Sequence, residues 1–453
     1  MDDTLAGARL TDGHIEEWAS RHPAFDAGPE EDARRLMAFV SEGEAMIASF
    51  PPKPLRDAAE HSQANRIREA CREQRSAFLS AHADWLYDRL TEGRTQPKRL
   101  AEIARDTAEL CGGLVPSESV MQAEAARRQA EKEGHEADQG LLFHAFLSRP
   151  AIATHLQAAM QRPKALALSM LPDFQATGRA VLPAVTIERR GVAAHLTITN
   201  THCLNAEDLR HVEDMEVAVD LALMDEAVHV CVLRGGEMTH PRHAGRRVFS
   251  AGVNLKALAA GEIPLVEFFL SRELGYINKI MRGLAPGGSP ARRIEKPWIG
   301  VVDRFAIGGG AQLLLVMDQV IAASDSYISL PAAQEGIVPG FANLRLTRFL
   351  GSRLARQMII AGKAIRATYP EAALLVDRVV NSEALDGAVD EMIPSLDNPA
   401  VVANRRMLRL AEEPDDRFLA YAAEFALEQA QRIYSADVLD NLHRAAARRE
   451  GRS

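Results

Sequence analysis

The chain has 453 residues, 47% hydrophobic and 25% charged, with 53 Lys and Arg against 62 Asp and Glu for a net charge of −9. This is an ordinary globular composition, long enough for two or three domains; it lacks the basic stripe of a nucleic-acid binder and any apolar run as long as a membrane span. The opening MDDTLAGARLTDGH has no apolar core, so no secretory leader is expected, and the scattered Cys71, Cys111, Cys203 and Cys231 read as reduced thiols of a cytoplasmic protein.

Residues 1–177 read as a helical N-terminal domain. The stretch 31–50 has apolar residues at helical spacing and stops before Pro51 and Pro52. A long amphipathic segment, 64–93, is ended by Gly93, and 97–113 closes on two glycines. The charged run 122–140 predicts a solvated helix, and 153–174 completes the helical part. The pattern changes near Gly178. Residues 184–200 predict two strands around a turn at Arg190 and Gly191, followed by a helix over 205–225 with Asn205 as a candidate N-cap. Short apolar strands are expected at 227–235, 296–303 and 318–324, and helix returns at 417–434. Strands alternating with helices indicate an α/β layer architecture.

Within DRFAIGGGAQLLLVMDQVIAAS (303–324), an apolar run meets three glycines and then a helix. Such a turn bares backbone N–H groups that have no intrahelical partner. Neither GxxxxGK[ST] nor GxGxxG is present, which argues against a nucleotide phosphate. A transient oxyanion is the alternative, and it needs a second N–H donor. RRVFSAGVNLKAL (246–258) offers one, a small-residue turn after the strand at 227–235.

FSAGVNL (249–255), LTITNTHCLNAEDL (196–209) and the long segment 296–346 resemble, in order, the motifs of the crotonase (enoyl-CoA hydratase/isomerase) superfamily. The resemblance covers roughly 180–380. It implies an α/β fold with a crotonase-like spiral of repeated ββα units over 178–380, added to the helical domain 1–177. A helical C-terminal section, 381–453, is expected to serve oligomerisation, as a trimer or dimer of trimers. It further implies an acyl-CoA thioester substrate, with the backbone N–H groups of Val253 and Gly309 as the oxyanion donors.

Two departures shape the functional reading. Hydratases of the superfamily use two glutamates as acid and base; this chain has Gln312 and Ala332 at those positions. Glu335 falls at a normally apolar position before Gly336. An amide and a methyl group do not exchange protons near neutral pH, so paired-carboxylate activation of water is not expected. The turn NTHCLNAED also lacks the basic residues often found there.

The combination resembles a branch of the superfamily that joins O2 to 3,5-dihydroxyphenylacetyl-CoA, supplying dihydroxyphenylglycine to glycopeptide antibiotic pathways. That resemblance implies a dioxygenase with no metal and no organic cofactor, with O2 and the thioester as its substrates and no nucleic-acid or membrane partner. Glu207, Arg272 and Gln312 are the candidates for holding the dihydroxyphenyl ring, with Arg272 and Gln312 also close to the chemistry and Tyr276 near the acyl pocket. His202 is a weaker candidate base. His211 and Glu213 match the short part of an iron-binding triad, but residues two apart on a helix diverge by about 200°. His240 and His243 read as loop residues. Another crotonase-fold isomerase, lyase or thioesterase, and a noncatalytic acyl-CoA binder, are the competing readings.

Overall fold

The computed structural model describes residues 10–287 and 293–441. Part of the opening stretch read for a leader, residues 288–292 of the expected crotonase-like core and the end of the C-terminal section lie outside the described residues.

The N-terminal third is helical. Helix Pro29–Ala48 begins on proline, whose fixed φ suits a first turn. Helix Ala58–Leu90 is capped reciprocally: the Glu60 N–H donates to Asp57 (2.8 Å) and the Asp57 N–H to Glu60 (2.9 Å). Helix Leu100–Leu110 stops just before Gly112 and Gly113. The expected helix over 153–174 is two helices, Pro150–Met160 and Ala165–Thr177.

The charged run 122–140 is a correction. It breaks into helix Glu118–Ala125, a 3-10 turn Gln129–Glu131 and the start of helix Glu136–Leu147. Gly134, at φ +89°, separates the last two. Only its first part is solvated: residues 122, 123 and 125–128 are exposed, whereas Gln129, Lys132, Glu136 and Asp138 are buried. Lys132 Nζ donates to the Gly261 carbonyl (2.7 Å), Gln129 Nε2 to the Ile433 carbonyl (3.0 Å), and Asp138 pairs with Arg75 (3.1 Å). Composition registers charge but not its pairing, which is why polarity was misleading here.

Among the described residues the α/β part has ten strands: β1 Arg179–Val181, β2 Val185–Arg190, β3 Ala193–Ile198, β4 Val230–Gly235, β5 Trp298–Val302, β6 Phe305–Ile307, β7 Gln319–Ala323, β8 Tyr327–Ser329, β9 Ile365–Arg366 and β10 Arg378–Val380. The larger sheet has the order β1-β2-β3-β4-β5-β7-β10, antiparallel from β1 to β3 and parallel beyond. The smaller has the order β6-β8-β9. Two ββα repeats are plain: β5, β6 and helix Gly309–Leu314, then β7, β8 and helix Ala332–Glu335.

The helix after β3, Leu209–Met224, is capped by Asp208 rather than Asn205. Asn205 instead adopts φ +53°, a conformation asparagine tolerates, and its side chain donates to the Val248 carbonyl (2.8 Å). Between helix Leu255–Ala260 and β5 the chain forms two π-helical turns, Leu265–Leu270 and Glu273–Ile277, which bury nearly every side chain. One contiguous hydrophobic core runs from Ile15 and Trp18 through the sheet to Phe425 and Ile433 on the C-terminal side. Helix Glu136–Leu147 lies along helix Asp415–Arg432, where a methyl group on Gly140 would come 2.6 Å from Ala430.

Candidate active site

The two glycine turns lie side by side. Ser250 bridges Ala306 of β6, and the Ile307 N–H donates to the Ser250 carbonyl (2.9 Å). Ser250 Oγ donates to the Asn205 carbonyl (2.9 Å) and accepts from the Gly252 N–H (3.1 Å), which fixes the first turn. A methyl group on Gly252 would stand 3.1 Å from the Gly309 nitrogen. Among the described residues, neither the Val253 nor the Gly309 N–H meets a backbone acceptor, and both residues line one cavity.

Each glycine of 308–310 has its own cause. Gly308 sits at φ +52° and ψ −116°, closed to side chains with a Cβ. A Cβ on Gly309 would lie 2.6 Å from Glu207 Oε1, and one on Gly310 would lie 2.6 Å from Ser250 Cβ.

Beside the turns, four buried side chains form one network. Arg272 Nε donates to Glu207 Oε2 (2.5 Å) and Nη2 to Glu207 Oε1 (3.1 Å). Nη2 also donates to the Gly309 carbonyl (2.8 Å), while Nη1 donates to Glu273 Oε1 and to Gln312 Oε1 (both 2.7 Å). All five N–H donors of the guanidinium are engaged. Burial alone would lower the Arg272 pKa, but Glu207, Tyr276 and Glu273 more than reverse it and hold the guanidinium charged. Burial pushes the Glu273 carboxyl up, against the pull of Arg272 and of Arg345, whose Nη1 lies 3.7 Å away. The oxygen of Gln312 is taken by Arg272, so its NH2 is the unpaired end of a side chain that lines the cavity.

The structure brings Val253, Gly309, Arg272 and Gln312 together on the cavity wall. Glu207 stands behind that wall, fully buried, and reaches the site through Arg272. Tyr276 does not line the cavity; it lies under Arg272, with the guanidinium 5.9 Å from its ring. His202 is elsewhere, in a surface groove with Asp208 and Glu213. His211 is buried against Tyr276 while Glu213 is exposed, so the two diverge as helical geometry requires. Among the described residues, no group of three or more His, Cys, Asp or Glu could hold a metal ion. Sequence reasoning missed Glu273, one of the four network residues, and the apolar walls formed by Phe268, Phe269, Ile337, Val338 and Phe425. The near-continuous apolar run around Glu273 was the available signal.

The enoyl-CoA hydratase/isomerase profile matches residues 188–411. A (3,5-dihydroxyphenyl)acetyl-CoA 1,2-dioxygenase from Amycolatopsis orientalis is 53% identical over 426 residues, covering 94% of this chain and 98% of the relative. The chain belongs to the enoyl-CoA hydratase/isomerase family. A short-chain-enoyl-CoA hydratase of the same family, from Clostridium acetobutylicum, is 29% identical over 221 residues, 48% of this chain and 77% of the relative. Among solved structures, an enoyl-CoA hydratase from Mycobacterium avium subsp. paratuberculosis aligns with a TM-score of 0.48 at 21% identity, covering 58% of this chain and 99% of that one. Helices N-terminal to the matched residues 188–411 extend the family's crotonase fold in this chain.

Proposed function

We propose that this protein is a dioxygenase that converts (3,5-dihydroxyphenyl)acetyl-CoA and O2 to 3,5-dihydroxyphenylglyoxylate and free CoA, in the formation of dihydroxyphenylglycine for glycopeptide antibiotics. The observation that carries this reading is the likeness to the dioxygenase along nearly the whole chain, helical extension included.

The chemistry suits the site. The α-CH2 of an arylacetyl thioester is acidified by both ring and carbonyl. As the proton leaves, charge gathers on the thioester oxygen, where the Val253 and Gly309 N–H groups receive it. One such donor is worth roughly 3–4 kcal/mol of transition-state stabilisation. The resonance-stabilised carbanion passes an electron to O2 without a metal or organic cofactor, and recombination gives an α-peroxide. The peroxide attacks the thioester carbonyl and expels CoA thiolate. Loss of the second α-proton with cleavage of the O–O bond leaves the keto acid. One thioester and one O2 thus balance one keto acid and one CoA, with no water consumed. The apolar walls hold O2 and limit reprotonation of the enolate. The Gln312 NH2 faces the substrate's oxygens, and Glu207 orients Arg272, whose charge supports the phenolic ring and the peroxide.

A homo-oligomer, a trimer or a dimer of trimers, is part of this reading. Exposed Met407, Leu408 and Leu410 on helix Pro399–Glu412 support it. So is a cytoplasmic location, supported by four free cysteines, three of them buried. No helix of the described residues is long and apolar enough to cross a membrane.

The test is O2 uptake by chelator-stripped protein given the thioester, with CoA and keto acid quantified. One O2 consumed per CoA released, unchanged by the chelator, is the expected result. CoA release without O2 uptake would make the protein a thioesterase instead.

A further inference from the structure

The cavity contains three ionisable side chains: Arg272, Glu273 and Glu335. Two are committed to each other. Glu273 accepts from Arg272 through Oε1 at 2.7 Å, its Oε2 has no hydrogen bond but lies 3.7 Å from the Arg345 guanidinium, and the Arg272 donors are all used. Glu335 is different. Among the described residues its carboxylate has no hydrogen bond and no ion pair, although it lines the same cavity as both oxyanion donors.

Local structure explains how it gets there. Ala332–Glu335 is a single helical turn, so positions 332 and 335 share a face, and both line the cavity. The turn is pinned at its end by Gly336, at φ +87°. The Gly336 N–H donates to the Ala332 carbonyl (2.8 Å), and its own carbonyl accepts from Arg432 Nε (2.6 Å). Arg432 in turn is paired with Asp437. Across the cavity the charges are the Arg272 and Glu273 pair.

We propose that Glu335 is the base that removes the α-proton of the bound arylacetyl thioester. The proposal rests on the dioxygenase reading and names a proton acceptor for it. The α-C–H bond breaks, its electron pair stays in the enolate and is shared onto the thioester oxygen, and the proton forms a bond to a Glu335 carboxylate oxygen. Burial, with no charged neighbour contributing, pushes the Glu335 carboxyl up to about 7. A carboxylate so poised is a stronger base than a solvated one and is still substantially ionised near neutral pH.

The experiment compares the full-length wild type with Glu335→Gln and Glu335→Asp, following O2-dependent CoA release from pH 5 to 9, with folding checked by circular dichroism. The wild type is measured first, and absence of O2-dependent release there would sink the dioxygenase reading itself. With an active wild type, Glu335→Gln is expected to lose about 10²–10⁴-fold in kcat with KM within threefold. Glu335→Asp is expected to retain an intermediate rate, with the acid limb of its kcat profile displaced from that of the wild type. A Glu335→Gln rate within threefold of wild type would overturn the proposal, as would an acid limb that Glu335→Asp leaves in place. If Glu335→Gln fails to fold, the position of the Glu335→Asp limb decides alone.

Discussion

Arg272 holds Glu207 through two hydrogen bonds, 2.5 and 3.1 Å long, across 65 residues of sequence and with both side chains buried. The same guanidinium reaches the carbonyl of Gly309, whose N–H is one of the two proposed oxyanion donors. The ion pair therefore helps to fix the position of the Gly309 backbone.

Replacing Arg272 by Met should be costly to the fold. It leaves the Glu207 and Glu273 carboxylates buried without their shared cation. Breaking such a pair from one side costs about 3–5 kcal/mol. Urea denaturation should show a lower midpoint by that measure; an unchanged midpoint would contradict the buried network.

Gly309→Ala should fail at the chemistry. Its methyl group would need the space 2.6 Å from Glu207 Oε1, and Glu207 is held by Arg272 and cannot retreat. The Gly309 N–H then moves off the developing oxyanion. A loss of about 10²–10³-fold in kcat is expected from O2-dependent CoA release. Activity within threefold of wild type would remove Gly309 from the oxyanion hole.

Labelled oxygen separates the proposed route from hydrolysis. Under 18O2 in ordinary water, both labels should appear in the keto acid, because the peroxide oxygen that attacks the thioester carbonyl stays in the carboxylate. Mass spectrometry showing a single label would mean that water, not peroxide, cleaves the thioester.

Stability should fall on the acid side through Glu413. Burial alone would raise this carboxyl, but Arg345 (3.0 Å), Arg282 (3.0 Å) and Arg348 (2.5 Å) around it hold it well below the ordinary 4.5. The folded state therefore binds this proton less readily than the unfolded state. The contribution is fully present above about pH 4.5 and is lost as pH falls below it. Thermal unfolding followed from neutral pH downward should show Glu413→Gln less stable than wild type at neutral pH, with a shallower decline below pH 4.5. Parallel curves would show that Glu413 titrates alike in both states.

The paired glycine turns and the larger strands were legible because they depend on local pattern: apolar runs closed by small residues at fixed spacing. The network was only partly so. Arg272 and Glu207 stood out as candidates, but their mutual contact is a product of the fold, and no periodicity links residues so far apart. Strands β6, β8 and β9 are two or three residues long, too short for alternation to show. Asn205 has the chemistry of an N-cap, yet Asp208 takes that place and Asn205 serves a turn at positive φ. Glu335 looked like a misplaced packing residue because sequence position alone does not reveal that one helical turn carries it back to the cavity.

The join between the first and last parts of the chain bears on how the protein is made. Gln129 donates to the carbonyl of Ile433, 304 residues later, and the Glu136 carboxylate accepts from Tyr434, 298 residues later. At a translation rate of roughly 5–20 residues per second, the early helices wait on the order of 15–60 s for that partner. Phe425, on the same late helix, supplies part of the cavity wall. The cavity wall is thus completed only after the ribosome has nearly finished, and a nascent chain already carrying Val253 and Gly309 still lacks one side of the cavity they line.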